Sequence, residues 1–270
     1  MGKQAEYQRE LQLLLSHNQT HQELETYLMS NSNLPGPRGN LELAFAFADV
    51  MAELSINQTH IDRLYRWASI SEKNAGGNDP MVFLPFCALV ALSAIHYKID
   101  ITRKQAIIHQ LQTAANDGRW RIREAVAMGF QRIAERNVAV IVNTFSTWTD
   151  RATLPEQRAM LTALAHPPIL NDDNTARFGL HLAGKIMSGL QTLKAEKRNT
   201  EAFRILKKGL GFTISVFAAY LPEAGFPFLM KWAVVEDKDI RWIIKTNLSK
   251  SRLTKHYQKQ VNEILSIFNQ

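Results

Sequence analysis

Cysteine occurs once, at Cys87, which excludes an internal disulfide framework and any metal or redox site needing two thiolates from one chain. A reducing, cytoplasmic address is the expectation. Sustained apolar/polar alternation is missing, so the strands of a sheet protein have no source. Long hydrophobic runs are missing too. The longest, Met81 to Ile95, is broken by Pro85 and Ser93 and falls short of the ~18 residues of a membrane span, so it reads as a buried helix. The N-terminus, Met1-Gly-Lys-Gln-Ala-Glu-Tyr, is polar. It has no signal-peptide core, and Glu6 stands where a myristoylation pattern needs Ser or Thr. No membrane partner is expected.

The sequence also lacks the short patterns that carry chemistry. It has no His-Glu-x-x-His, Cys-x-x-Cys, EF-hand loop, Gly-x-Ser-x-Gly elbow or Walker loop. No cofactor and no catalytic residue is therefore expected. His17, His21 and Glu25 fall one turn apart and would share a face if one helix ran through them. Asn18, Gln19 and Thr20 between them favour a turn, so exposed histidines near a cap are the alternative to a metal site. Cys87 lies among Phe83, Leu84, Phe86, Ala88 and Leu89 and should be buried and unreactive.

What is abundant is helical periodicity. The hydrophobic fraction is 46%, enough for a real core in 270 residues. Leu41, Ala44, Phe45, Ala48, Ala52 and Leu54 mark one apolar face. Ile122, Ala125, Val126, Gly129, Phe130 and Ile133 mark another, and Ile243, Ile244, Asn247 and Leu248 a third. Breaks fall at Asn33–Asn40, Asn74–Pro80, Asn116-Asp117-Gly118, His166-Pro167-Pro168 and Leu221-Pro222. Asp79-Pro80, Thr153 with Glu156, and Asp172-Asp173-Asn174 carry helix-start signals. The segments between breaks number about fourteen helices of roughly 10–20 residues, with no linker-like stretch.

An arginine recurs just inside helices that then turn apolar: Arg123, Arg158, Arg204 and Arg241, spaced 35, 46 and 37 residues apart. Two of these intervals lie near the ~40-residue period of HEAT and armadillo units. The fold expected is all-α, a right-handed α-α superhelix forming one helical-repeat domain over 1–270. Asp117, Asp237 and Asp239 sit where such repeats can bond a turn aspartate to a helix arginine.

Asp117-Gly-Arg-Trp-Arg-Ile-Arg-Glu-Ala-Val-Ala and Asp237-Lys-Asp-Ile-Arg-Trp-Ile-Ile-Lys-Thr-Asn-Leu resemble second helices of HEAT-like repeats. Their flavour is similar to the superfamily that includes bacterial DNA-alkylation-repair glycosylases, over the C-terminal two-thirds of the chain. Lys207-Lys208-Gly209-Leu210-Gly211-Phe212 resembles that family's Lys-Ala-Ile-Gly-Trp segment. The resemblance implies a DNA-binding protein. It also implies altered or lost base excision, because Phe212 stands in place of the tryptophan and Ser215 in place of an arginine. Trp148-Thr149-Asp150 is the nearest counterpart of the family's Trp-Asp-x-x-Asp stretch and lacks its second aspartate.

Net charge is +7, and it is localised. Residues 194–270 carry 14 Lys and Arg against 7 Asp and Glu, while 1–193 carry 18 of each. A localised basic surface fits phosphate groups or an acidic protein, and a solvated lysine-rich face is the alternative. The candidate binding residues are the cations and aromatics of successive repeats: Arg119, Trp120, Arg121 and Arg123; Arg204, Lys207, Lys208 and Phe212; Arg241, Trp242 and Lys245. On a solenoid these would line one concave stripe; alternatively the tryptophans are core and the arginines bond between repeats. Arg177 and Lys185, on the helix after Asp172, are placed to face a groove. Two functions are expected from this pattern. One is a non-catalytic binding or scaffold protein with a protein or nucleic acid on its basic C-terminal half; the other is a DNA-binding glycosylase relative. Nothing in the sequence sets an oligomeric state.

Overall fold

The computed structural model describes residues 2–16 and 21–268. They are helical with no strand among them. Fourteen helices run 10–20 residues, and two more span four each. The chain divides into two compact units, Met1–Arg136 and Asn137–Gln270.

The first unit holds α1 (Lys3–Ser16), α2 (His21–Ser30), α3 (Leu41–Glu53), α4 (Gln58–Ala68), α5 (Phe83–Ile95), α6 (Ile101–Ala114) and α7 (Trp120–Arg136). Helices α1, α3, α5 and α7 pack successively against one another, and α4 and α6 fold back on α5 and α7. Caps define the ends. The Asn40 Oδ1 accepts the Leu43 N–H at 3.1 Å while its amide donates to the Tyr7 hydroxyl and the Asn31 carbonyl, fixing where α3 leaves the Asn33–Asn40 break. At the other end the Lys98 ammonium donates to the carbonyls of Met51, Ala52 and Leu54, satisfying the open C-terminus of α3.

The central helix α5 is buried along its whole length, all thirteen residues, with Cys87 at 0% exposure. Burial raises the Cys87 thiol well above its ordinary pKa, which keeps it protonated. The continuous stretch Pro80–Lys98 is long and apolar enough to cross a membrane by length and composition, but 78% of that window is covered by the protein itself. Asp79 caps its proline start, accepting the Met81 N–H at 2.8 Å.

The second unit holds α8 (Val138–Trp148), α9 (Leu154–Leu164), α10 (Asp173–Gln191), α11 (Ala195–Arg198), α12 (Glu201–Tyr220), α13 (Pro222–Ala233), α14 (Lys238–Leu248), α15 (Ser251–Thr254) and α16 (Gln258–Ile267). Helix α12 is its centre, packed against α9, α10, α13 and α14, while α13 also touches α10 and α16. Thr153 and Glu156 form the expected capping box on α9, and Asp172 caps α10 through the Thr175 N–H at 3.0 Å. Helices α12 and α13 approach so closely that a Cβ on Gly225 would lie 2.3 Å from the Ala218 Cα, so only glycine fits.

The apolar face expected on α7 is buried as a set, Ile122, Ala125, Val126, Gly129, Phe130 and Ile133. That on α14 is buried too, with Asn247 at 0% exposure. Asn247 is there as a polar bridge. Its Oδ1 accepts the Ser215 N–H and its amide donates to the Leu210 carbonyl, both at 2.8 Å, tying α14 to the middle of α12. The face expected on α3 is displaced. Ala44 and Ala48 are buried, but Leu41 is 37% exposed and Phe45, Ala52 and Leu54 are half-buried. Leu43, Ala46, Phe47, Val50 and Met51 are buried instead. With α1 and α5 both packed on α3, burial extends around the helix beyond one stripe.

Candidate functional site

The predicted binding residues of the first unit lie at the start of α7, and two of the four, Arg119 and Arg123, bond the neighbouring turns. Arg119 is 4% exposed. Its guanidinium bonds the Asp117 carboxylate at 2.7 and 2.9 Å and the carbonyls of Ile70 and Ala75 at 2.8 and 3.0 Å, stapling the loop after α4 to the turn before α7. Arg123 donates to the Asp117 and Gly118 carbonyls at 2.7 and 2.6 Å. Trp120 is 46% exposed, so it is not core. The Arg121 guanidinium lies 4.4 Å from its ring centroid.

In the second unit the predicted residues join a partly buried charge network. The Lys207 ammonium reaches the Asp239 carboxylate at 2.7 Å and sits 4.7 Å over the Trp242 ring. Trp242 is 40% exposed and lies across Gly211 of α12. Arg198, unremarked in the sequence, bonds Asp237 at 2.7 Å and Asp239 at 2.8 Å. Burial works against both carboxylates. The hydrogen bonds outweigh it: Arg198 and the backbone N–H groups of Asp239 and Ile240 hold Asp237 below its ordinary pKa, and Lys207 and Arg198 do the same for Asp239. Arg204 pairs with Glu201 at 3.1 Å, and Arg241 and Lys245 lie over the Phe268 ring at 5.2 and 4.8 Å. Phe212 is half-buried; Lys208 is exposed.

Arg123, Arg204 and Arg241 stand fourth in α7, α12 and α14, and Arg158 fifth in α9; Arg123 bonds turn carbonyls, Arg204 bonds a carboxylate of its own helix, and Arg241 lies over a ring. The turn aspartates find Arg119, Arg198 and Lys207 rather than Arg123 and Arg241. Helical position follows from local caps and periodicity, whereas partner choice depends on which long side chain reaches the carboxylate.

A second cationic surface lies between α10 and α13, around a groove of about 560 Å³. Arg177, His181 and Lys185 stand at i, i+4 and i+8 on α10, a single helix face. From α13 come Phe228, Lys231 and Trp232. Gly184 forms part of the floor, and a Cβ there would meet the Phe228 ring at 3.2 Å. Arg177 is held loosely, 3.7 Å from Glu223 and 4.0 Å from Asp173, with all three side chains more than half exposed. Lys185 meets Asp150 at 2.5 Å, both exposed. Exposed pairs of this kind are worth about 0–1 kcal/mol, so an incoming anion can replace the carboxylates. No protein-family model matches this chain, and no curated protein matches it in sequence.

Of the groove residues, the sequence marks Arg177 and Lys185 as groove-facing but not His181, Lys231, Phe228 or Trp232. The four-residue cationic spacing on α10 was the available signal. The possible metal trio is not assembled by the described residues: His17 and the His21 side chain lie outside them, and Glu25 accepts the Trp67 indole N–H at 2.7 Å. Asp150, the acid of the Trp148-Thr149-Asp150 stretch, is exposed and neutralised by Lys185.

Proposed function

We propose that this chain is a non-catalytic binding protein of the HEAT-like, α-α superhelix class, and that the α10–α13 groove takes the phosphate backbone of a nucleic acid. The superhelix reading draws on the successive packing of α1, α3, α5 and α7 in one unit and of α9, α12 and α14 in the other. The binding reading is carried by one observation: three formal cations and a histidine line a single groove in the unit that holds the entire positive surplus. The second unit has 18 Lys and Arg against 11 Asp and Glu, the first 14 against 14. Arg177 and Lys185 are separated by roughly 12 Å along α10 at the helical rise per residue, far enough apart to meet different phosphates of one strand.

Base excision, the activity of the glycosylases that the sequence resembles, needs a buried carboxylate beside the flipped base. The acids paired with the groove cations, Asp150, Asp173 and Glu223, all have exposed side chains, which favours binding without chemistry. The test is anisotropy of a labelled duplex at low salt, with the Lys185→Gln, Lys231→Gln double variant as control. Binding that the double variant loses is the expected result. Absence of binding, or binding untouched by the substitutions, refutes the groove. Base release from alkylated DNA would refute the non-catalytic half.

A further inference from the structure

The first unit contains a pocket of different character, of about 240 Å³, between the Asn33–Asn40 segment, the start of α5 and one face of α7. Its walls are mostly apolar: Leu41, Val82, Phe83, Phe86 and Met128, with the Trp120 ring. Leu41 and Trp120 are 37% and 46% exposed, an uncommon outlay of large apolar surface around one small opening. Against this lining stands Arg121, 4% exposed.

Arg121 is poorly satisfied for a buried guanidinium. It donates to the Gly36 carbonyl and, at 3.3 Å, to the Asn78 side-chain oxygen, and its Nε has no hydrogen-bond partner. Unlike Arg119, two residues earlier, it has no carboxylate within ion-pair distance among the described residues. Burying a cation without a counter-charge costs several kcal/mol, and an arginine kept only for packing would be replaced at a gain by an apolar side chain. The other charges on the lining are Arg38, exposed at the rim, and Glu124, leaving a surplus of one positive charge. The pocket therefore combines a desolvated donor fork, a second arginine and a flat apolar cleft.

We propose that this pocket binds a small organic acid, its carboxylate received by Arg121 with Arg38 and its planar apolar body lodged against Phe83, Phe86, Met128 and Trp120. The volume lies below the roughly 300–1,000 Å³ of sites for drug-sized ligands, so the ligand is one or two rings in size. A guanidinium in apolar surroundings matches a carboxylate bidentately, and bonds to an ionised acceptor are about twice as strong as neutral ones. This site is separate from the proposed nucleic-acid groove, shares no residue with it and does not depend on it.

The test uses 2-naphthoate and its neutral counterpart 2-naphthamide, titrated calorimetrically into the full chain at neutral pH. Shift perturbation in ¹H–¹⁵N spectra locates the binding. The acid is expected to bind about 10- to 100-fold more tightly than the amide, with shifts confined to residues 37–41, 82–86 and 120–128. In Arg121→Met that preference collapses toward unity while the far-ultraviolet spectrum is retained. If Arg121→Met does not fold, the acid–amide comparison in the unaltered protein still decides. Equal affinity, no binding at millimolar concentration, or shifts centred on Arg177, Lys185 and Lys231 overturns the proposal.

Discussion

The salt dependence of nucleic-acid binding gives the sharpest test of the groove, because the number of contacts can be counted. Arg177, Lys185 and Lys231 are the formal cations lining it. If each neutralises one phosphate, log affinity should fall with log salt at a slope of about −2.7 for duplex DNA. Raising salt from about 50 to 200 mM should then weaken binding by roughly 40-fold. Lys231→Gln removes one contact, so its slope should be about −1.8 and its loss over the same range roughly 12-fold. Asp150→Asn acts in the opposite sense: it releases Lys185 from a 2.5 Å pair, and at low salt it should tighten binding by about 1.5- to 5-fold, the worth of an exposed pair. Anisotropy of a labelled duplex at four salt concentrations measures all three. A slope near zero in the unaltered protein, an unchanged slope in Lys231→Gln, or weaker binding by Asp150→Asn would refute the assignment.

Three predictions concern the scaffold. Asn247→Leu keeps the volume but strands the buried Ser215 N–H and Leu210 carbonyl contacts, and should cost about 2–4 kcal/mol, a fall in Tm of roughly 10 °C by circular dichroism. A change under about 1 kcal/mol would show that the bridge is dispensable. His96 is 6% exposed, and burial first, then Lys104, lowers its pKa to about 4. The unfolded chain therefore takes up a proton below pH 6.5 that the folded protein refuses until about pH 4. Stability should decline as pH falls through that window, and less steeply in His96→Leu, as followed by urea midpoints. Arg119→Met takes the guanidinium from the Ile70 and Ala75 carbonyls and leaves the Asp117 carboxylate only the backbone N–H of residue 119; a loss of about 2–4 kcal/mol is expected. Faster amide exchange over residues 69–79 should accompany it, and unchanged protection there would argue against the staple.

Helix class, helix number and most breaks were legible in the sequence, because caps and 3.6-residue periodicity are local. Thr153 with Glu156, Asp79-Pro80 and the α7 stripe needed no tertiary information, since each reports bonds within a few residues of itself. Spacing likewise placed the recurring arginines near helix starts. What these long side chains touch was settled only in three dimensions. Arg119 and Arg121 are two residues apart and equally buried, yet one is saturated by Asp117 and two carbonyls while the other faces an apolar pocket. The groove cations come from α10 and α13, with α11 and α12 between them in the chain, and no local signal couples the two. A guanidinium or ammonium reaches several ångströms beyond its backbone, so its partner depends on which helix is folded alongside, and that is a property of packing.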